Sequence, residues 1–228
     1  MKKRIKIDSS ILSLLIICTG TLFLFKDLYP KSNLTDNVFD FIGVIILLKG
    51  TLLRMIARGH KKKNSNKGGE LVIDGPYLLT RNPMYLGSFL IGCGFILILW
   101  PWWSLPIFAW MFYTRFKHQI VTEEKFLTKH FGQAYEDYCR KVPRLFPSFT
   151  NMSRVQIKDV YNPREAFTTK EKNGIYSWFA LAIFLEVCQE YIVFGTTNIE
   201  RVLTIFLAAT VVFVVVAGTL YYSQSVRS

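Results

Sequence analysis

The 228-residue chain has four cysteines, and none of them is close to another in sequence. Cys18, Cys93, Cys139 and Cys188 suggest neither a disulfide framework nor a zinc site; three lie in apolar blocks and read as small apolar residues, so no metal centre is expected. Histidine is scarcer still. His60 sits among lysines and His118 and His130 are isolated, so no Ser-His-Asp or Cys-His arrangement for covalent catalysis is visible. No small-x-small cleavage site follows the apolar run that begins at Ile11, and Leu15-Ile16-Ile17-Cys18 lacks the small residue of a lipoprotein site. That run therefore reads as a retained span and not as a signal peptide. There is no internal repeat. Acidic residues number 16 against 28 basic ones, giving a net charge of +12, yet the basic residues lie between apolar blocks and form no recognition motif. No nucleic-acid partner is expected, and anionic membrane lipid is the better match.

What the chain has in excess is apolar sequence: 51% of its residues are hydrophobic, gathered in blocks and not in narrow amphipathic stripes. Runs long enough to cross about 30 Å of hydrocarbon fall near 10–28, 37–56, 84–100, 102–118, 175–194 and 202–222. The uncharged stretch Met84 to Thr114 is too long for one straight helix, and Pro101 and Pro106 among Trp100, Trp102 and Trp103 break it at a level suited to an interfacial aromatic belt. The expected fold is all-α: a polytopic membrane bundle of about six spans, including a short helical hairpin turning at Trp100–Ser104, with cytoplasmic amphipathic helices. Lysine and arginine concentrate in the N-terminus, in 54–81 and in 115–172, which places both termini and the polar motifs on the cytoplasmic side. Gly59 to Gly69 reads as a flexible basic loop. The expected organisation is an N-terminal span (1–36), a membrane core (37–149), a cytoplasmic connector (150–174) and a C-terminal two-span pair (175–228).

Two motif clusters carry the chemistry. In Leu71-Val72-Ile73-Asp74-Gly75-Pro76-Tyr77 followed by Arg81-Asn82-Pro83-Met84-Tyr85-Leu86-Gly87, a loop becomes a helix, with Pro83 in the first turn and Asn82 as a candidate cap. Past the hairpin, Glu123-Glu124 lies on an amphipathic helix from Ile120 to Phe131. Helical spacing puts Glu124 on the apolar side with Ile120, Leu127 and Phe131, where a carboxylate needs a cationic partner. Phe131-Gly132-Gln133-Ala134-Tyr135, Tyr138 and Val142-Pro143-Arg144 follow.

This order of motifs resembles the isoprenylcysteine carboxyl methyltransferase family, with related phospholipid methyltransferases, over about residues 38–149. The resemblance implies S-adenosyl-L-methionine as methyl donor, and a hydrophobic or membrane-delivered acceptor such as a prenylcysteine-like carboxylate, a lipid amine or a thiol. The cofactor-binding set it implies is Tyr77, Arg81, Asn82, Tyr85, Gly92, Gly94, Glu123, Glu124, Tyr135, Tyr138 and Arg144, with no catalytic residue assigned; independently of the resemblance, Lys49 and Arg54 in the second span and His118 at the end of the fourth are substrate-side candidates. Carboxylates suit the cofactor's ammonium and ribose, arginines its carboxylate, and aromatic faces its sulfonium. Where the family has histidine, this chain has Asn82, which can hydrogen-bond but carries no proton at neutral pH. Two alternatives stand beside this reading: a sterol-reductase-like enzyme that binds NADPH, and a non-catalytic scaffold of the same fold. Gly92 and Gly94 serve equally as close-packing positions. Glu186 and Glu190 are one turn apart in the fifth span, where they serve either a substrate site or a structural pairing with Lys26 or Lys49. Oligomeric state is left open.

Overall fold

The computed structural model describes residues 17–29, 33–147, 160, 166–195 and 198–226. All regular structure among them is helical, as expected. In chain order it comprises α1 (residues 17–24), α2 (Asn33–Asn64), α3 (Pro83–Leu99), α4 (Leu105–Phe131), α5 (Gln133–Lys141), α6 (Asn173–Gln189, running on through a π-helical turn Glu190–Phe194) and α7 (Ile199–Val226). The basic N-terminus, the start of the expected first span and most of the connector lie outside the described residues.

The tightest pairing is α2 against α3, and glycines make it possible. Gly43 and Gly50, two turns apart on α2, meet Gly94 and Gly87 on the antiparallel α3. A Cβ on Gly50 would stand 2.7 Å from the Gly87 carbonyl oxygen, and one on Gly43 would stand 2.9 Å from that of Gly94. Backbone thus lies on backbone at two levels, the small-residue mode of helix packing in lipid. The α3–α4 hairpin turns where the prolines predict: α3 stops at Leu99, Pro101 is extended, and a 3₁₀ turn at Trp102–Ser104 leads into α4.

Two expectations are corrected. No separate amphipathic helix begins near Ile120; α4 is one helix of 27 residues, about 40 Å long, that carries Glu123 and Glu124 on its polar extension. Nor is Gly59–Gly69 a loop throughout, since α2 continues to Asn64. Arginine and lysine are good helix formers, nothing there breaks the helix, and cations suit its C-terminal end. The turn follows at Asn66, Lys67 and Gly68, all with positive φ.

The C-terminal pair packs onto α2 and α3 through Ala182, Val202, Phe206 and Ala209 against Val44, Leu47 and Ile98. Outward-facing Leu203, Leu207, Val211 and Val215 of α7 remain exposed. Lys170–Phe194 and Ile199–Ser223 are long and apolar enough to cross a membrane, and Pro83–Leu99 is a shorter apolar helix. The expected partners of Glu186 and Glu190 are also corrected. Arg201, near the start of α7, pairs with Glu190 and stands 3.9 Å from Glu186, because the α6–α7 hairpin returns it beside them. Lys49 is exposed on α2.

Candidate functional site

The two motif clusters meet through the backbone. Arg81 N–H donates to the Pro143 carbonyl at 2.9 Å, and Thr80 Oγ1 donates to the Arg144 carbonyl at 3.2 Å. The Asn82 side chain makes no cap bond; its Nδ2 donates instead to the Arg144 carbonyl at 2.9 Å and to Glu124 at 3.4 Å. The capping role is filled by the Asn82 carbonyl, which accepts from the Tyr85 and Leu86 N–H groups. Asn82 is therefore a stitch between the 80–82 and 143–144 segments, a task that needs one donor and no titratable proton.

Glu124 is buried, as its helical phase requires, and it is neutralised from two sides: Arg144 Nε at 2.9 Å and Arg81 Nη2 at 3.5 Å. Glu123, one residue earlier, faces outward and accepts from the Tyr85 hydroxyl at 2.8 Å and from Gln119 at 3.2 Å. Adjacent carboxylates thus do different work, one binding the wall together and one facing the space it encloses.

That space is a cavity of about 850 Å³. Behind it, Gly132 at φ +53 and ψ −130 breaks α4 from α5 in a conformation that other residues avoid. The bend returns Tyr135 and Tyr138 beneath Tyr77. Tyr138 donates to the Tyr77 carbonyl at 2.7 Å, and the three rings cluster with Val142. Burial pushes all three phenols above their ordinary pKa, with nearby Glu123 (for Tyr77) and Glu124 (for Tyr135) adding to the effect, so they remain neutral donors throughout the physiological range.

Of the residues singled out from sequence, Arg54, Tyr77, Arg81, Asn82, Tyr85, Glu123, Tyr135 and Tyr138 line this cavity. Glu124 and Arg144 stand behind the wall and hold it. Gly94 lies in the α2–α3 contact and Gly92 against the Phe108 ring of α4, while His118 and Lys49 are exposed and away from the cavity. Sequence reasoning missed Arg58, Lys61 and Gln119 in the lining. It also missed Glu171, which accepts from Arg54 at 3.2 Å and Arg58 at 2.9 Å. The i, i+4, i+7 spacing of Arg54, Arg58 and Lys61 on one helix face was the available signal; nothing local marked Glu171.

Residues 41–134 match the family model described as phospholipid methyltransferase. The chain is 38% identical over 123 residues to a protein-S-isoprenylcysteine O-methyltransferase of Schizosaccharomyces pombe, covering 50% of this chain and 52% of that protein. It is 33% identical over 134 residues to the protein of the same name from Saccharomyces cerevisiae, covering 55% and 56%. The aligned part therefore spans about half the length of these curated relatives. No solved structure matches. Residues 41–134, from α2 into the start of α5, are thus the part of the chain that is similar to the phospholipid methyltransferase family.

Proposed function

We propose that this protein is an integral membrane methyltransferase. It uses S-adenosyl-L-methionine and acts on a hydrophobic or membrane-delivered acceptor: a prenylcysteine-like carboxylate, a lipid amine or a thiol. The observation that carries the reading is the lining of the cavity. It sets the Arg81 guanidinium and the outward carboxylate of Glu123 in walls otherwise rich in aromatic rings. A guanidinium suits a ligand carboxylate. Glu123 suits an ammonium or ribose hydroxyls. Tyr77, Tyr85, Phe116 and Phe126 offer faces to an adenine or a sulfonium.

The bound cofactor would supply an activated methyl group for in-line displacement. The chain's share is to orient the reactants and exclude water, which needs no nucleophilic side chain. NADPH fits less well, because Glu171 already engages two of the cations, Arg54 and Arg58, that would face its extra phosphate. The aromatic belt at Trp100–Trp103 and the basic residues at the cavity end of α2 support six spans, with the cavity opening to the cytoplasm and the acceptor arriving from lipid.

The test is calorimetric binding to the purified protein in detergent. S-adenosylmethionine should bind saturably, NADPH should not, and labelled methyl should pass into a lipid or small-molecule extract. Absence of S-adenosylmethionine binding, or binding of NADPH in its place, overturns the proposal; binding without transfer points to the scaffold.

A further inference from the structure

At the opposite end of the bundle from the cavity, four carboxylates converge: Asp36 and Asp40 on the first turns of α2, and Glu186 and Glu190 at the end of α6. All four are buried. Among the described residues the cation beside them is Arg201, whose two terminal nitrogens are engaged while its Nε has no partner. Its Nη2 pairs with Glu190 and with Asp36 at 3.2 Å, and its Nη1 donates to Asn37 at 2.7 Å. Glu190 also accepts from the Asn198 backbone N–H at 2.9 Å. Asp40 and Glu186 are the less well compensated pair: Glu186 stands 3.9 Å from Arg201 Nη2 and otherwise faces the Asp40 carboxyl. Glu186 is 0% exposed and Asp40 1% exposed, and apart from their approach to each other neither Glu186 oxygen nor Asp40 Oδ1 receives a donor within hydrogen-bond distance.

Buried carboxylates without donors are costly and normally carry a counter-charge. One oxygen each from Asp36, Asp40 and Glu186 lies within 4.8 Å of the others. Oxygens on opposite sides of a calcium ion, bound at about 2.3–2.6 Å, stand about 5 Å apart, so all three can reach one such ion. Asp36 also lines a cavity of about 430 Å³, bordered by Tyr29, Trp100 and Trp102, which gives a route in and room for the waters a hard cation keeps.

We propose that Asp36, Asp40 and Glu186 form a binding site for a hard divalent cation of the calcium class, independent of the methyl-transfer reading. The ion would tie α2 to α6 and, through Arg201, to α7.

Calcium chloride is titrated into chelator-stripped, detergent-solubilised protein, with radiolabelled calcium uptake and thermal unfolding as readouts and magnesium and manganese chlorides as comparators. Uptake of about one ion per chain with a rise in Tm is expected. Glu186→Gln, which keeps the shape of the side chain, should weaken uptake at least tenfold, and Asp40→Asn should do the same. No uptake by the unaltered protein overturns the proposal. So does uptake unchanged in Glu186→Gln, or a Tm raised by that substitution in a protein indifferent to metals, the result expected if the carboxyls hold protons instead. If Asp40→Asn does not fold, uptake by the unaltered protein and by Glu186→Gln still decides.

Discussion

Glu123 and Glu124 differ by one position and by most of their physics. Glu124 holds two arginines in a wall where Arg81 and Glu124 keep only 12% and 10% of their side-chain surface. Replacing it with alanine strands a buried guanidinium, at a cost of about 3–5 kcal/mol. Glu124→Ala should therefore lower Tm sharply and lose cofactor binding along with the fold. Glu123→Gln should leave Tm nearly unchanged yet weaken S-adenosylmethionine binding about tenfold or more, as calorimetry on the folded variant would report. Equal Tm losses in the two variants would erase the distinction. The phase of the helix made this legible in advance, because Glu124 shares a face with Ile120 and Leu127. The role of Asn82 was not legible: its letter permits a cap, and only the arrival of the Arg144 carbonyl beside it shows where its donor goes.

At the scale of elements, the site depends on two glycine devices. Gly132 occupies a conformation reserved for residues without Cβ, so Gly132→Ala should cost about 1–3 kcal/mol even though open space surrounds it. The tyrosine layer hangs from that bend, so the same substitution should also weaken cofactor binding. Gly50→Leu acts differently, by forcing α2 and α3 apart where backbone touches backbone. It should lower Tm by more than Gly132→Ala, and thermal unfolding of the two variants side by side checks the order. The reverse order would mean that the α2–α3 contact relaxes easily. The α3–α4 hairpin was readable because proline and tryptophan mark it. The extension of α2 to Asn64 was not, because a run of lysines looks the same on a helix as in a loop.

For the whole molecule, the informative contact joins the segment matched by the family model to sequence outside it. Glu171 precedes α6, beyond the matched residues 41–134, and reaches back to Arg54 and Arg58 on the cavity wall. No local pattern foretells such a pairing, since it depends on how α6 returns across α2. Its consequence is a charge balance. Without Glu171, two guanidinium groups would face the cavity uncompensated. S-adenosylmethionine carries a sulfonium, and its demethylated product does not, so a more positive cavity should penalise the cofactor more than the product. Glu171→Gln should thus weaken S-adenosylmethionine binding several-fold while leaving S-adenosylhomocysteine within about twofold, the gap narrowing as salt screens the partly exposed pair. Calorimetry with both ligands at two salt concentrations decides it. Equal losses for the two would assign Glu171 to holding α6 in place, and make the C-terminal pair a brace for the cavity with no part in its electrostatic selectivity.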